Sequence, residues 1–286
     1  MPFTASHMAA ALPMRSGTRT GVGERRGPLV ASALAIGTMT PDVVLFVDLR
    51  SLPLHPDRTV THGLVPGVLI VDLVFTAVAV GVWHFLLLRP TLALLPDALR
   101  ARLAEPLTPV LPGRIAAARR EGRPWVRELV GVAGWFVVSA WIGGLTHVGW
   151  DTWTHAGDAG AREVAPWLLD ASPFGPAWCQ VLQNISSVVG LAALAWWVRR
   201  LPARPLPHDA PRRLAVRARA TVVAAVALAG TLAAIRRTSP QPDWLRGDHQ
   251  ALAVELTIGF GQGAALAVLL YAVGWAVHTA NAARTA

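Results

Sequence analysis

Long apolar stretches separated by short arginine-bearing connections set the pattern of this chain. A bilayer core about 30 Å thick takes roughly 20 apolar residues of helix. Six stretches approach or exceed that length, from about Pro28 to Asp48, Leu64 to Leu88, Leu129 to Trp150, Val181 to Val198, Leu214 to Ile235 and Leu252 to His278. The first is interrupted by Pro41-Asp42, which removes a helix donor and sets a carboxylate among apolar side chains. The predicted fold is all-α, a polytopic membrane bundle of about six transmembrane helices. It forms a single integral membrane domain over residues 1–286.

Composition supports that reading. The chain is 53% hydrophobic and 15% charged, against about 25% charged in an ordinary soluble domain. Disorder is excluded by the same figures, because low hydrophobicity is what keeps a chain unfolded. The single cysteine, Cys179, excludes an internal disulfide and a thiolate zinc cluster. The formal charge of +9 comes from 26 basic residues, every one of them arginine.

Arginine placement orients the spans. The connections over residues 89–127 and 199–213 are arginine-rich, whereas Asp151 to Asp170 and Asp243 to Asp248 are acidic or mixed. The positive-inside rule places both arginine-rich connections in the cytoplasm, which with six spans puts both termini there too. Topogenic charge accounts for the basic balance without nucleic acid, so membrane lipids are the expected partners. The N-terminus lacks the order of a secretory signal, since Arg15 follows the short apolar stretch. Around residues 100–127 the pattern predicts a surface helix broken by Pro106, Pro109 and Pro112.

The informative polar segment runs from His147 to His155, H-V-G-W-D-T-W-T-H. On a helix, residues four apart share a face, so His147 and Asp151 project together and His155 follows one turn on. Imidazole and carboxylate at this spacing suit a divalent cation, zinc being the usual choice for such mixed ligands. The bland alternative is a helix end whose polar residues face headgroups. Asp42 is costly where it stands unless paired or bound to a cation, and His62 opens the second long stretch. Asp42, His62, His147, Asp151 and His155 are all expected near the outer surface, with the composition of a one- or two-metal hydrolytic site. Asp42 or Asp151 is alternatively a general base.

Other polar residues are read more plainly. Asp72 is a candidate partner for a ligating histidine, and His84 a packing or interfacial group. Gln180, Gln183, Asn184, Ser186 and Ser187 either line the site or bond between helices. His55, His208, His249 and His278 are expected in loops or at interfaces, and Gly259 to Gly263 in close helix packing.

The opening Met1-Pro2-Phe3-Thr4-Ala5-Ser6-His7, the stretch Ile36-Gly37-Thr38-Met39-Thr40-Pro41-Asp42, the segment Leu145 to His155 and the stretch Gln183 to Gly190 resemble the DUF4184 family of bacterial membrane proteins. That pattern is in turn similar to YdjM-like membrane-bound metal-dependent hydrolases and, more distantly, to zinc-dependent phospholipase C. The resemblance implies that His7, Asp42, His62, His147 and Asp151 bind metal, with His155 as a sixth member. It implies zinc or a similar divalent cation, and location in the bacterial inner membrane. The remaining ligands of a three-zinc phospholipase have no counterpart, which favours one or two metals. His7 conflicts with a cytoplasmic N-terminus. It reaches an outer site only if residues 1–14 form a re-entrant or interfacial segment, or if the first stretch is a half-helix pair that turns before Arg25.

Two classes of function follow. One is a membrane-embedded metal-dependent hydrolase of a phospholipid or another lipid-linked ester. The other is a non-catalytic membrane protein, a small carrier or assembly factor, or an inactive relative with a structural metal. The absence of repeated halves counts against a carrier.

Overall fold

A computed structural model describes residues 4–19, 27–47, 56–104, 107, 110–206, 210–239 and 248–285. Arg25, Arg26, Asp48, His55, Pro106, Pro109, His208 and Asp243 lie outside the described residues. The chain is helical almost throughout. Its elements are α1 (Ala31–Gly37), α2 (Val43–Phe46), α3 (Arg58–Thr61), α4 (Asp72–Val82), α5 (Leu88–Leu94), α6 (Asp97–Leu103), α7 (Val110–Arg120), α8 (Trp125–Thr154), α9 (Trp178–Arg200), α10 (Val216–Thr238) and α11 (His249–Thr285). A 3-10 run over Thr4–Gly17 precedes them, and Thr18–Arg19 (β1) pairs in parallel with Leu29–Val30 (β2).

Among the described residues, five helical runs are long and apolar enough to cross a membrane: Leu64–Leu94, Trp125–Thr154, Trp178–Arg200, Val216–Thr238 and His249–Ala282. They carry large apolar side chains on their outer faces, with Phe85 94%, Val188 69% and Leu270 64% exposed. Apolar surface on that scale is unsuited to water and suits lipid. The protein is an integral membrane protein.

The stretch from Pro28 to Asp48 is not a sixth spanning helix. Its first helix, α1, has seven residues and ends at Gly37. A 3-10 turn over Thr40–Asp42 follows, with Pro41 at its start, and then the four-residue α2. Pro41 has no N–H to continue the ladder to the Gly37 carbonyl, to which Thr40 Oγ1 donates instead at 3.1 Å, and the Asp42 carboxylate needs partners that a lipid-facing helix does not offer. The expected break within residues 100–127 is present between α6 and α7, with Pro106 and Pro109 outside the described residues. Pro112 instead falls in the first turn of α7, where a missing N–H costs nothing. A further turn comes at Gly122, whose φ of 64° suits glycine.

Contacts divide the chain into two compact units. The first comprises Met1–Val44, Leu49–Val80 and Ala101–Pro205. In it α1 lies along the middle of α8 at glycine-thin distance. A Cβ at Gly143 would sit 2.6 Å from the Leu34 carbonyl oxygen, and one at Gly37 would sit 2.8 Å from that of Ala140. Val30, Ala33 and Val132 pack beside them, and Ser139 Oγ accepts the Val30 N–H at 2.8 Å. The 3-10 run packs on α9, where Gly190 leaves room for Ser6. At the other end of α8, Glu128 receives Arg123 at 2.6 Å and also pairs with Arg114, tying the arginine-rich connection to the helix. The second unit comprises Leu45–Asp48, Gly81–Arg100 and Leu206–Ala286. Its core is the α10–α11 pair, where a Cβ at Gly263 would lie 2.2 Å from the Ala229 carbonyl oxygen and one at Gly259 2.7 Å from the Ala234 Cα. The close packing expected of Gly259 to Gly263 is therefore present.

Candidate metal centre

Four segments of the first unit bring their polar side chains to one point. The 3-10 turn after α1 supplies Asp42, and the residue that caps the C-terminus of α3 is His62. One face of the last turns of α8 supplies His147 and Asp151. One donor atom from each of these four residues lies within 4.8 Å of the other three. His147 Nε2 is 3.6 Å from Asp42 Oδ1 and 3.4 Å from Asp151 Oδ2. His62 Nε2 is 3.3 Å from Asp151 Oδ2 and 3.9 Å from Asp42 Oδ1.

The N-terminal 3-10 run adds two more groups. Thr4 Oγ1 donates to Asp42 Oδ2 at 2.7 Å. His7 stacks on His147 with ring centroids 4.0 Å apart, and its Nε2 is 3.4 Å from Asp151 Oδ1. His7 thus reaches the centre because residues 4–17 fold back against α9, α1 and α8, which is the first of the two routes expected for it, a re-entrant or interfacial segment over residues 1–14. It stands beside the four-donor cluster rather than within it. His155, at the C-cap of α8, also lies outside that cluster, with Nδ1 3.5 Å from Asp151 Oδ2 and Nε2 3.5 Å from Gln183 Nε2.

The neighbours fix which atoms face inward. His147 Nδ1 donates to the Thr38 carbonyl at 2.8 Å, which turns Nε2 toward the carboxylates. Thr61 Oγ1 donates to the Pro41 carbonyl at 2.8 Å and lies 3.2 Å from His62 Nδ1, so α3 and the Asp42 turn are held together. Orientation of a ligating imidazole through its far nitrogen is the usual supporting arrangement of a metal site. Asp42, His147 and Asp151 are almost fully buried, at 1%, 0% and 2% exposure.

Four buried atoms at this point make no hydrogen bond: His7 Nε2, Asp42 Oδ1, His147 Nε2 and Asp151 Oδ1. Buried polar atoms are normally paired, and two carboxylates this close repel each other. A cation among them removes both costs. The donor set of two imidazoles and two carboxylates suits zinc, manganese or iron better than an all-oxygen cation such as calcium. The residues present therefore fit a divalent transition metal.

At the rim, Arg58 opens α3 one turn before His62. Asp57 caps this short helix by accepting the Val60 N–H at 2.9 Å. Arg58 donates to both oxygens of Asp158, at 3.3 Å and 3.0 Å, and comes 3.6 Å from Asp151 Oδ2. Burial pulls its guanidinium down, but the hydrogen bonds and charge of Asp158, with Asp151 and Asp42 behind, outweigh that and hold it above its ordinary value. Burial likewise pushes the His7 imidazole down to about 4, His147 adding to the effect against the two carboxylates.

Arg58, Asp158, Thr4 and Thr38 escape a reading that searches for ligand types. The signal for Arg58 was present, because an aspartate cap followed by arginine and, four residues later, histidine places both side chains on one helical face. Gln183, Ser186 and Ser187 mostly bond within and between helices, with Trp150 Nε1 donating to Ser186 Oγ at 3.2 Å. Asp72 is buried, and both of its oxygens lack a hydrogen-bond partner; it holds none of the site histidines. His84 Nδ1 is also buried without a hydrogen-bond partner.

The fold and this centre define a polytopic membrane protein with a buried His/Asp cluster fit for a metal. Residues 1–273 match the family described as domain of unknown function DUF4184, and the chain belongs to that family. No curated protein and no solved structure matches it.

Proposed function

We propose that the protein is a membrane-embedded metal-dependent hydrolase acting on a phospholipid or another lipid-linked ester. The observation that carries this reading is the convergence of Asp42, His62, His147 and Asp151, one donor atom of each within 4.8 Å of the others, with Asp42 Oδ1, His147 Nε2 and Asp151 Oδ1 buried and without a hydrogen bond. Those four residues would hold the cation, with His7 and His155 as further donors, and zinc is the ion the donor set favours. A divalent ion held there supplies Lewis acidity toward an ester oxygen. Asp151 is the organising carboxylate, shared by His7, His62, His147, His155 and Arg58. Asp42 keeps Oδ2 on Thr4 and turns Oδ1 inward, so Oδ1 would either complete the ligand set or, with the cation on His62, His147 and Asp151, take a proton from an attacking water.

The site lies at the ends of the helical runs marked by Leu64, Thr154 and Trp178. The arginine-rich connections join the opposite ends. With five runs instead of six, the arginine-rich connections over residues 89–127 and 199–213 favour the centre on the outer side of a bacterial inner membrane and the C-terminus in the cytoplasm, against the charge of Arg15, Arg19, Arg25 and Arg26. A substrate entering laterally from the bilayer meets this face.

The test is metal content of the detergent-purified protein by plasma mass spectrometry, beside a His147→Ala/Asp151→Ala double variant. Near-stoichiometric zinc or manganese that the variant loses supports the reading, and lipid-ester hydrolysis assays follow. Equal and negligible metal in both, after reconstitution with several ions, overturns it and leaves a transport or structural role.

A further inference from the structure

Among the described residues, the centre contains one arginine that its metal-binding residues do not account for. Arg58 lies within ion-pair reach of Asp151, yet its main hydrogen bonds go outward to Asp158. Exposure separates this pair from the rest: the Arg58 side chain is 35% exposed and that of Asp158 25%, against 2% for Asp42 and Asp151. Arg58 is thus the cation that a molecule arriving at the centre meets first.

Charge balance gives it a task. A divalent ion among Asp42 and Asp151 leaves the inner cluster neutral, and Arg58 with Asp158 forms a second neutral pair. A neutral carboxylic ester entering such a site finds no use for a guanidinium. A phosphoryl group does, because two of its non-bridging oxygens match the planar donor fork that Asp158 now occupies. The Arg58–Asp158 pair is part-exposed and screened by water, so exchanging one bidentate anion for another sacrifices little. The one-turn spacing of Arg58 and His62 on the capped α3 then sets the anion's oxygens next to the metal-binding residues.

We propose that Arg58 is the anion-recognising residue of this centre, exchanging the Asp158 carboxylate for a phosphoryl group, so that the substrate is a phosphate ester rather than a carboxylic ester. The inference rests on the metal-centre reading and narrows its substrate class. Asp158 is the resident counter-ion that keeps Arg58 aimed at the centre until the phosphoryl group arrives.

Calorimetric titration of the metal-loaded, detergent-purified protein with inorganic phosphate tests this, with metal content measured on every sample. The wild type binds phosphate. Arg58→Gln weakens binding at least tenfold with metal content unchanged, Arg58→Lys weakens it less, and Asp158→Asn tightens it. Equal phosphate affinity in wild type and Arg58→Gln overturns the proposal. So does loss of metal from both Arg58 variants, which marks the arginine as a structural latch. Metal-loaded wild type that binds no phosphate overturns the phosphate assignment alone and leaves a hydrolase of neutral esters. Failure of the wild type to take up metal instead removes the hydrolase reading itself.

Discussion

Asp151 accepts from or faces five side chains, while Asp42 has a dedicated hydroxyl from Thr4, so the two carboxylates respond differently to loss of a neighbour. Thr4→Val removes the Oδ2 partner and leaves a second buried carboxylate oxygen unpaired, which costs about 1–3 kcal/mol in the bare protein. Added metal restores part of that loss, and a thermal melt with and without zinc measures it. The same melt reads the centre as a whole. A ligand that binds only the folded state at a hundred times its Kd stabilises by about 2.7 kcal/mol, so zinc raises the Tm of the wild type and leaves His147→Ala/Asp151→Ala unmoved. Asp72 behaves in the opposite way. It is 2% exposed with no hydrogen bond to either oxygen, and a buried group of that kind opposes folding. Asp72→Asn therefore melts at the same temperature as wild type or higher, with metal content unchanged; a loss of metal would tie Asp72 to the centre. At this scale the ligand types in the sequence were readable from helical spacing for His147 and Asp151. Asp42 was readable from its cost in apolar surroundings. The far-side contacts that aim them, Thr38 to His147 and Thr4 to Asp42, join residues 109 and 38 positions apart, and no local pattern carries such pairs.

Among the elements, the apolar runs are the most legible, since length and hydrophobicity alone decide whether a helix spans. Four of the five runs lie within a few residues of their predicted bounds, and the Leu64 run extends six residues beyond Leu88. The Pro28–Asp48 stretch was misjudged because apolar content does not distinguish a lipid-crossing helix from a short segment buried in protein. Its glycine partners held the distinction. Gly37 and Gly143 let α1 lie on α8 with backbone nearly touching backbone, and this contact brings Thr38 to His147 and Asp42 to the centre. Gly143→Leu cannot be accommodated without moving α1, so it lowers metal content as well as stability. Gly263→Leu strikes the α10–α11 contact instead. It destabilises the second unit and leaves metal content at the wild-type level. Metal content measured on folded fractions of both variants separates the two effects, and equal metal loss in both would contradict this placement of the site within the first unit.

For the whole molecule, sidedness is the remaining consequence of trading six spans for five. With six, the N-terminus shared the cytoplasm with the arginine-rich connections, and His7 had no route to an outer site. With residues 4–17 folded onto α9 and α1, His7 shares helix ends with His62, Asp151 and Gln183, and the proposed five-span topology removes the conflict. On the proposed topology the connections over residues 89–127 and 199–213 carry the topogenic charge, and the N-terminal Arg15, Arg19, Arg25 and Arg26 stand against it. Cys179, the lone cysteine, is buried against Ala161 and Leu168, so Cys179→Ala gives a thiol-free background with only a small cavity cost. In that background Gly157→Cys, in the turn after α8, reacts with a membrane-impermeant maleimide added to intact spheroplasts. Gly122→Cys, in the turn before α8, reacts only after the membrane is opened. Both glycines have space around a new Cβ, although the positive φ of Gly122 strains the second variant slightly. Labelling in the reverse order would place the metal centre on the cytoplasmic face and assign the arginine-rich connections to the outside. Its substrate would then be a lipid of the inner leaflet.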